Sequence, residues 1–277
     1  MRTVFRDPGR ELAFNSDGYV IVPMLSKSEV DKLRKLYSSH TSDTFDEGFH
    51  TSFLSKDVEF KTIISDTFKE LFKDKLEDLL IDYRVLFTHY LIKEPNTSFK
   101  FNLHVDATTV DETRHQSLTI WCALEDTDAT NGGLFVWKAG HKSVHGFRSV
   151  SQHNPVDESV GEQVDKVNIV LKKGEALIMN QKLPHGSMPN PSKNRRIAAG
   201  IHLVPQEAKS IMCFKESEET LSIYEILNYN FYIDGFEGDN SKNSKHLQFK
   251  YNERTSWTGL SAEDNTKVES NGSAENV

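Results

Sequence analysis

His104 and Asp106 stand two residues apart in the segment FKFNLHVD, residues 99–106. Polar and apolar residues alternate there. That pattern predicts a strand with Lys100, Asn102, His104 and Asp106 on one face and Phe99, Phe101, Leu103 and Val105 on the other. An imidazole and a carboxylate on one face offer a nitrogen and an oxygen to a metal ion. A second histidine from elsewhere in the chain would complete the two-histidine, one-carboxylate face used by non-haem Fe(II) oxygenases. Taken alone, His-x-Asp equally suits the solvated face of an edge strand.

A second chemically suggestive stretch, residues 174–205, reads as strand, tight turn, strand, with His185 opening the turn. Beyond the punctuation at residues 189–194, Arg196, Ala198, Gly200 and His202 fall on one face, and Ile197, Ala199, Ile201 and Leu203 on the other. An arginine beside two very small residues leaves room for a ligand, and its planar guanidinium matches the two oxygens of a carboxylate. The bland alternative is a surface arginine over a small-residue packing site.

These residues resemble the phytanoyl-CoA dioxygenase family of Fe(II)- and 2-oxoglutarate-dependent oxygenases. The resemblance runs through residues 17–37 (DGYVIVPMLSKSEVDKLRKLY), His104-Val105-Asp106 and residues 121–142 (WCALEDTDATNGGLFVWKAGHK). It continues in His185-Gly186-Ser187, with Arg196 eleven residues after His185. It implies a mainly β fold with helical cover, a double-stranded β-helix or cupin-like jelly-roll barrel. It also implies that His104, Asp106 and His185 hold Fe(II), leaving positions for 2-oxoglutarate and O2.

By the same resemblance, Arg196 pairs with the distal carboxylate of 2-oxoglutarate and Ser187 adds a hydrogen bond. Trp121 falls on the site side, Tyr90 at a cosubstrate contact and Lys93 near another. Read from the residues alone, Trp121 and Tyr90 suit a packed core and Lys93 a solvated strand end. Residues 138–142 (KAGHK) occupy the place of the family's Pro-Gly-Ser-His-Lys turn, so His141 is structural. His202 is either a satisfied interior histidine or a contact near the site.

Related halogenases carry a small residue where Asp106 stands, so the carboxylate points to hydroxylation, oxidative cyclisation or desaturation. Two other classes stay open. A cupin-like metalloenzyme without 2-oxoglutarate would not need Arg196, and a non-catalytic metal or 2-oxoglutarate binder would make no succinate.

The elements that must position these residues follow from periodicity. Apolar residues 19–25 predict a strand, and Ser26 caps a helix reaching about Ser38. Residues 55–82 repeat phenylalanine, leucine and isoleucine at helical spacing and predict helical cover on a sheet. Residues 86–93 (LFTHYLIK) predict a strand. In the next one, Thr119, Trp121 and Ala123 share a face opposite Leu118, Ile120, Cys122 and Leu124. The acidic turn 125–133 lacks calcium-loop spacing and reads as solvated. Residues 106–116 are a polar loop expected at the pocket mouth, with His115 an exposed loop histidine, while the polar loops 43–50 and 147–164 either border the pocket or are plain surface connections. Residues 1–262 are expected to form one domain, and the polar stretch 263–277 a disordered tail.

With 37% hydrophobic and 27% charged residues among 277, the composition suits a soluble globular protein. A net charge of -8 without a basic cluster argues against a nucleic-acid partner. No apolar run suits a membrane span, and the first residues do not read as a signal peptide. Only Cys122 and Cys213 are present, which suits a reducing, cytoplasmic setting. Cations for an acyl-CoA's phosphates are limited to Lys172, Lys173, Lys193 and Arg195. The expected substrate is therefore a small free metabolite.

Overall fold

Asp7 caps helix α1 (Pro8–Asp17) by accepting from the Arg10 backbone, and Gly18 ends it in a left-handed conformation. The sequence reading missed this helix, although Asp7-Pro8 and Gly18 are ordinary start and stop signals. The computed structural model describes residues 2–40, 48–150, 156–238 and 240–254. Strand β1 (Tyr19–Pro23) leads into α2 (Lys27–Ser39), where Ser26 and Glu29 form a reciprocal capping box. The short β2 (Phe49–Thr51) precedes α3 (Val58–Leu79), which matches the periodic stretch.

Strands β3 (Tyr83–Lys93), β4 (Phe101–His104), β5 (Leu118–Ala123) and β6 (Leu134–Trp137) follow. After α4 (Glu158–Gln163) come β7 (Lys166–Asn168), β8 (Glu175–Asn180), β9 (His185–Ser187) and β10 (Arg196–Pro205). The chain closes with β11 (Ile211–Lys215), β12 (Thr220–Ile226) and β13 (Leu247–Arg254).

Six strands in the order β1-β8-β5-β10-β3-β2 make the larger sheet, and β4-β9-β6-β7 make the smaller one. Every pairing is antiparallel. The larger sheet buries both faces. Its outer face, with Ile120, Cys122, Ile197, Ala199 and Ile201, packs under Leu33, Phe68 and Phe72 of the helices. Its inner face, with Trp121, Ala123, Leu177 and Ala198, meets Leu134 and Val136 of the smaller sheet. This double layer is the double-stranded β-helix, and the two parities read from the sequence for β5 and β10 select its two faces. Among the described residues no helix is long and apolar enough to cross a membrane.

Three expectations change. The strand read over residues 99–106 is short, because the β4 to β9 register shifts between Phe101 and His104. An extra residue there reverses the alternation, so Phe101 lies on the cavity side with His104 instead of opposite it. Residues 147–164 are not simply a loop: they contain α4, whose Val160, with Val156 and Val164 one turn to either side, packs with Leu103 and Trp137. The segment after Pro205, for which no strand is predicted above, forms the third sheet, β11-β12-β13. Residues 41–47 and 151–155, parts of two of the expected polar loops, and the tail 263–277 lie outside the described residues.

Candidate metal centre and cosubstrate pocket

Antiparallel pairing sets His104, the last residue of β4, directly opposite His185, the first of β9. Their rings are 4.5 Å apart. The Nδ1 of His104 lies 2.9 Å from the Asn102 carbonyl, and that of His185 lies 2.9 Å from the Leu183 carbonyl. A carbonyl can only accept, so each Nδ1 carries the proton and each Nε2 presents a lone pair. Asp106 completes the group. Its Oδ1 is 3.8 Å from His185 Nε2, and one ligand atom from each of the three residues falls within 4.8 Å of the others. Two imidazole nitrogens and a carboxylate oxygen, with their second contacts already made, suit a divalent transition metal.

Asp106 stands beyond the end of its strand and is held from two sides. Arg148, fully buried, donates from Nε to the Asp106 carbonyl at 2.7 Å and grips Glu112 with both terminal nitrogens. The Thr119 hydroxyl donates to Asp106 Oδ2 at 3.3 Å. Burial alone would raise this carboxyl, but the imidazoles of His185, His202 and His104 and the Thr119 hydroxyl hold it below the usual range. Sequence reading missed Arg148, because an arginine in a loop gives no sign of the carbonyl it will meet.

Along the inner face of the larger sheet, Arg196 of β10 is paired with Lys93 of β3. Both are buried, and neither forms an ion pair among the described residues. The Arg196 guanidinium lies 5.0 Å over the Trp121 ring and donates to the Leu91 carbonyl, while its buried Nε has no partner among the described residues. Burial lowers its pKa to about 10, against the pull of Glu125. Burial, then Arg196 beside it, lowers Lys93 to about 7. Lys93 Nζ donates to Ser187 Oγ at 2.7 Å, which leaves the serine its own proton to donate. Two buried cations, a free hydroxyl proton and an orphaned Nε fit one carboxylate of a dicarboxylic acid.

His104, Asp106, His185, Ser187, Trp121 and Arg196 line one end of a cavity of about 450 Å³. His202 also lines it, with Nδ1 3.4 Å from the Thr119 hydroxyl. Tyr90 does not. Its side chain points out of the barrel, where its hydroxyl donates to the Leu33 carbonyl and its ring packs against Tyr37 and Phe68. The expectation of a cosubstrate contact at Tyr90 is corrected on parity: on one strand, Tyr90 and Lys93 cannot face the same way. His141 lies outside the cavity against Gly18, near Asn15. The loop at residues 106–116 contributes only Asp106 and Ala107 to the wall, while His115 lies near Glu207. The acidic turn is not wholly solvated either, since Glu125 pairs with Arg34 and accepts from the Ile197 backbone.

The chain thus folds as a jelly-roll barrel that gathers two histidines and a carboxylate beside a buried arginine. The chain belongs to the phytanoyl-CoA dioxygenase family: the profile of phytanoyl-CoA dioxygenase (PhyH) matches residues 14–198. The phytanoyl-CoA dioxygenase of Arabidopsis thaliana is 27% identical over 129 residues, 44% of this chain and 45% of that protein. A phytanoyl-CoA dioxygenase domain-containing protein 1 homolog of Dictyostelium discoideum is 25% identical over 124 residues, 42% and 44% of the two chains. The matched stretch is thus less than half the length of either relative.

Among solved structures, the epimerase SnoN in complex with Fe3+, alpha ketoglutarate and nogalamycin RO superposes with a TM-score of 0.59. It is 20% identical over 74% of this chain and 87% of that one. HygX from Streptomyces hygroscopicus, with nickel and 2-oxoglutarate bound, gives a TM-score of 0.53 at 13% identity, over 73% and 88% of the two chains. At these identities the likeness is one of fold.

Proposed function

We propose that this protein binds Fe(II) through His104, Asp106 and His185, binds 2-oxoglutarate with its distal carboxylate on Arg196, and uses O2 to oxidise a small free metabolite. The expected reaction is hydroxylation, oxidative cyclisation or desaturation, with succinate and CO2 as co-products. One observation carries the reading: the buried Arg196, with no ion-pair partner among the described residues, shares a cavity with the His-Asp-His group, and the buried Lys93 reaches the wall of that cavity at Ser187. Burying two cations without a counter-ion is costly, so a bound carboxylate is the natural partner of that end. The ligands reported with SnoN and HygX support the same assignment.

Iron, when bound, would supply the site at which O2, the oxidant, is activated, and 2-oxoglutarate, converted to succinate and CO2, would supply two of the electrons that O2 takes up. The chain's own part is positional. Backbone carbonyls fix both imidazoles, Arg148 and Thr119 fix Asp106, and Ser187 and Lys93 stand beside the guanidinium. Trp121 covers the guanidinium's flat face and keeps water from it, which strengthens the ion pair with the cosubstrate.

Oxygen-dependent turnover of 2-oxoglutarate to succinate should require added Fe(II) and disappear in His104→Ala, Asp106→Ala and His185→Ala. Isothermal titration should show metal binding lost in the same variants. Turnover and iron affinity like the wild type's in all three would overturn the metal assignment. Oxygen uptake indifferent to 2-oxoglutarate would instead favour a cupin-like metalloenzyme.

A further inference from the structure

From Arg196 the inner face of β10 runs past Ala198 to Gly200, and the register there sets Gly200 opposite His89 of β3. Four residues of strand span about 13 Å, so this point lies well away from the cation end. His89 lines the cavity and is itself buried. Its Nδ1 meets the Thr51 hydroxyl at 2.8 Å, which fixes the ring. The other edge lies across Gly200 so closely that a Cβ there would come within 2.3 Å of Nε2. Glycine at position 200 is therefore what admits the imidazole into the barrel. His89 Nε2, for its part, is buried and has no hydrogen-bond partner among the described residues.

The surrounding wall is aromatic. Phe53, against Phe87 and Phe236, forms one side, and Phe101, edge-on to Phe49, forms another. Among the described lining residues, only Asp106 and Arg196 carry a fixed charge. Burial, with His202 beside it, holds His89 down at about 3, so the ring is neutral. Three of the four cations suited to the phosphates of a CoA thioester are already engaged: Lys172 with Asp126, Lys173 with Asp31 and Arg195 with Glu94.

We infer that His89 is the group that orients the substrate, and that the substrate is an uncharged molecule with an apolar, ring-sized body and a hydroxyl, carbonyl or amide directed at His89 Nε2. This rests on the oxygenase reading for what occupies the Arg196 end, and it adds the chemical class that the remaining space accepts. A neutral imidazole can donate to or accept from such a group. The phenylalanine walls take the ring without a charge partner.

The test uses four probes of one shape: phenylethanol, propylbenzene, phenylacetate and phenylethyl phosphate. Binding is measured by saturation-transfer NMR on the full chain, alone and loaded with Ni(II) and 2-oxoglutarate, with loading followed separately by calorimetry. Phenylethanol should bind roughly tenfold more tightly than propylbenzene in both states, the worth of one hydrogen bond. In the loaded protein the two anions should bind at least tenfold more weakly than phenylethanol. His89→Phe and Gly200→Ala should abolish the preference for the alcohol while propylbenzene still binds, and His89→Gln should restore it. A preference that survives in His89→Phe, anions binding as well as the alcohol, or no probe binding at all would overturn the inference. Failure of 2-oxoglutarate to load would count against the oxygenase reading alone, because the alcohol preference is also read in the unloaded protein.

Discussion

At the Arg196 end of the cavity two buried cations sit side by side on β10 and β3, with no anion paired to them among the described residues. A few residues along the same two strands, the wall turns to neutral imidazoles and phenylalanines, with His202 stacked on Phe87 at 4.1 Å. Burial does opposite things at the two ends. Arg196, even lowered to about 10, keeps its charge at neutral pH, so burying it creates a standing demand for an anion. Histidine escapes the penalty by shedding its proton, and His202 falls to about 4 chiefly through burial. The same strands and the same exclusion of water thus make one end selective for an anion and the other for an uncharged partner.

Arg148→Met would disturb the metal group beside both ends and should have the largest effect. It strands the largely buried Glu112 and releases the Asp106 carbonyl. Breaking a buried pair costs about 3–5 kcal/mol, so chemical denaturation should register a loss of that order, and iron affinity should fall with it. A midpoint unmoved by Arg148→Met would mean that the Asp106 loop holds itself. Arg196→Leu should separate the ends. The Michaelis constant for 2-oxoglutarate should rise roughly ten- to a hundredfold, the worth of a charge-assisted bond, while calorimetry finds iron binding intact.

Lys93 offers a finer probe through pH. In the free protein it is protonated below about 7, and a carboxylate beside it favours the protonated form. Binding of 2-oxoglutarate therefore takes up a proton above that pH, and the affinity should weaken as pH rises, by at most roughly tenfold per unit. Titrations in Lys93→Met should be flatter over the same range; an equally steep slope would place the titrating group elsewhere. The smallest effects are expected outside the cavity. Arg195→Ala, on the outer face with Glu94, should leave the 2-oxoglutarate constant unchanged. Removal of residues 263–277, whose composition offers almost nothing to pack, should leave melting temperature and turnover as they were.

What the sequence determined by itself was whatever depends on local period and local chemistry. Alternation sorted Thr119, Trp121 and Ala123, and Arg196, Ala198, Gly200 and His202, onto the inner face, because a side chain's side of a strand follows from its neighbours alone. The Ser26 capping box and the apolar stripe of α3 were legible for the same reason. Parity also contained the correction at Tyr90, three residues from Lys93, even though resemblance pointed the other way.

Only the tertiary structure decided the rest. The register shift before His104 turned Phe101 into the cavity, and a bulge depends on the partner strand, not on the bulged one. Arg148 reads as any loop arginine until the fold sets its guanidinium against Asp106 and Glu112. His89 acquired its place from Thr51 on one neighbouring strand and Gly200 on the other, residues distant in the chain whose meeting no local pattern encodes. Contacts of that kind exist only once strands have paired, and burial, which determines whether a histidine is charged or an arginine lacks an anion, is settled at that moment too.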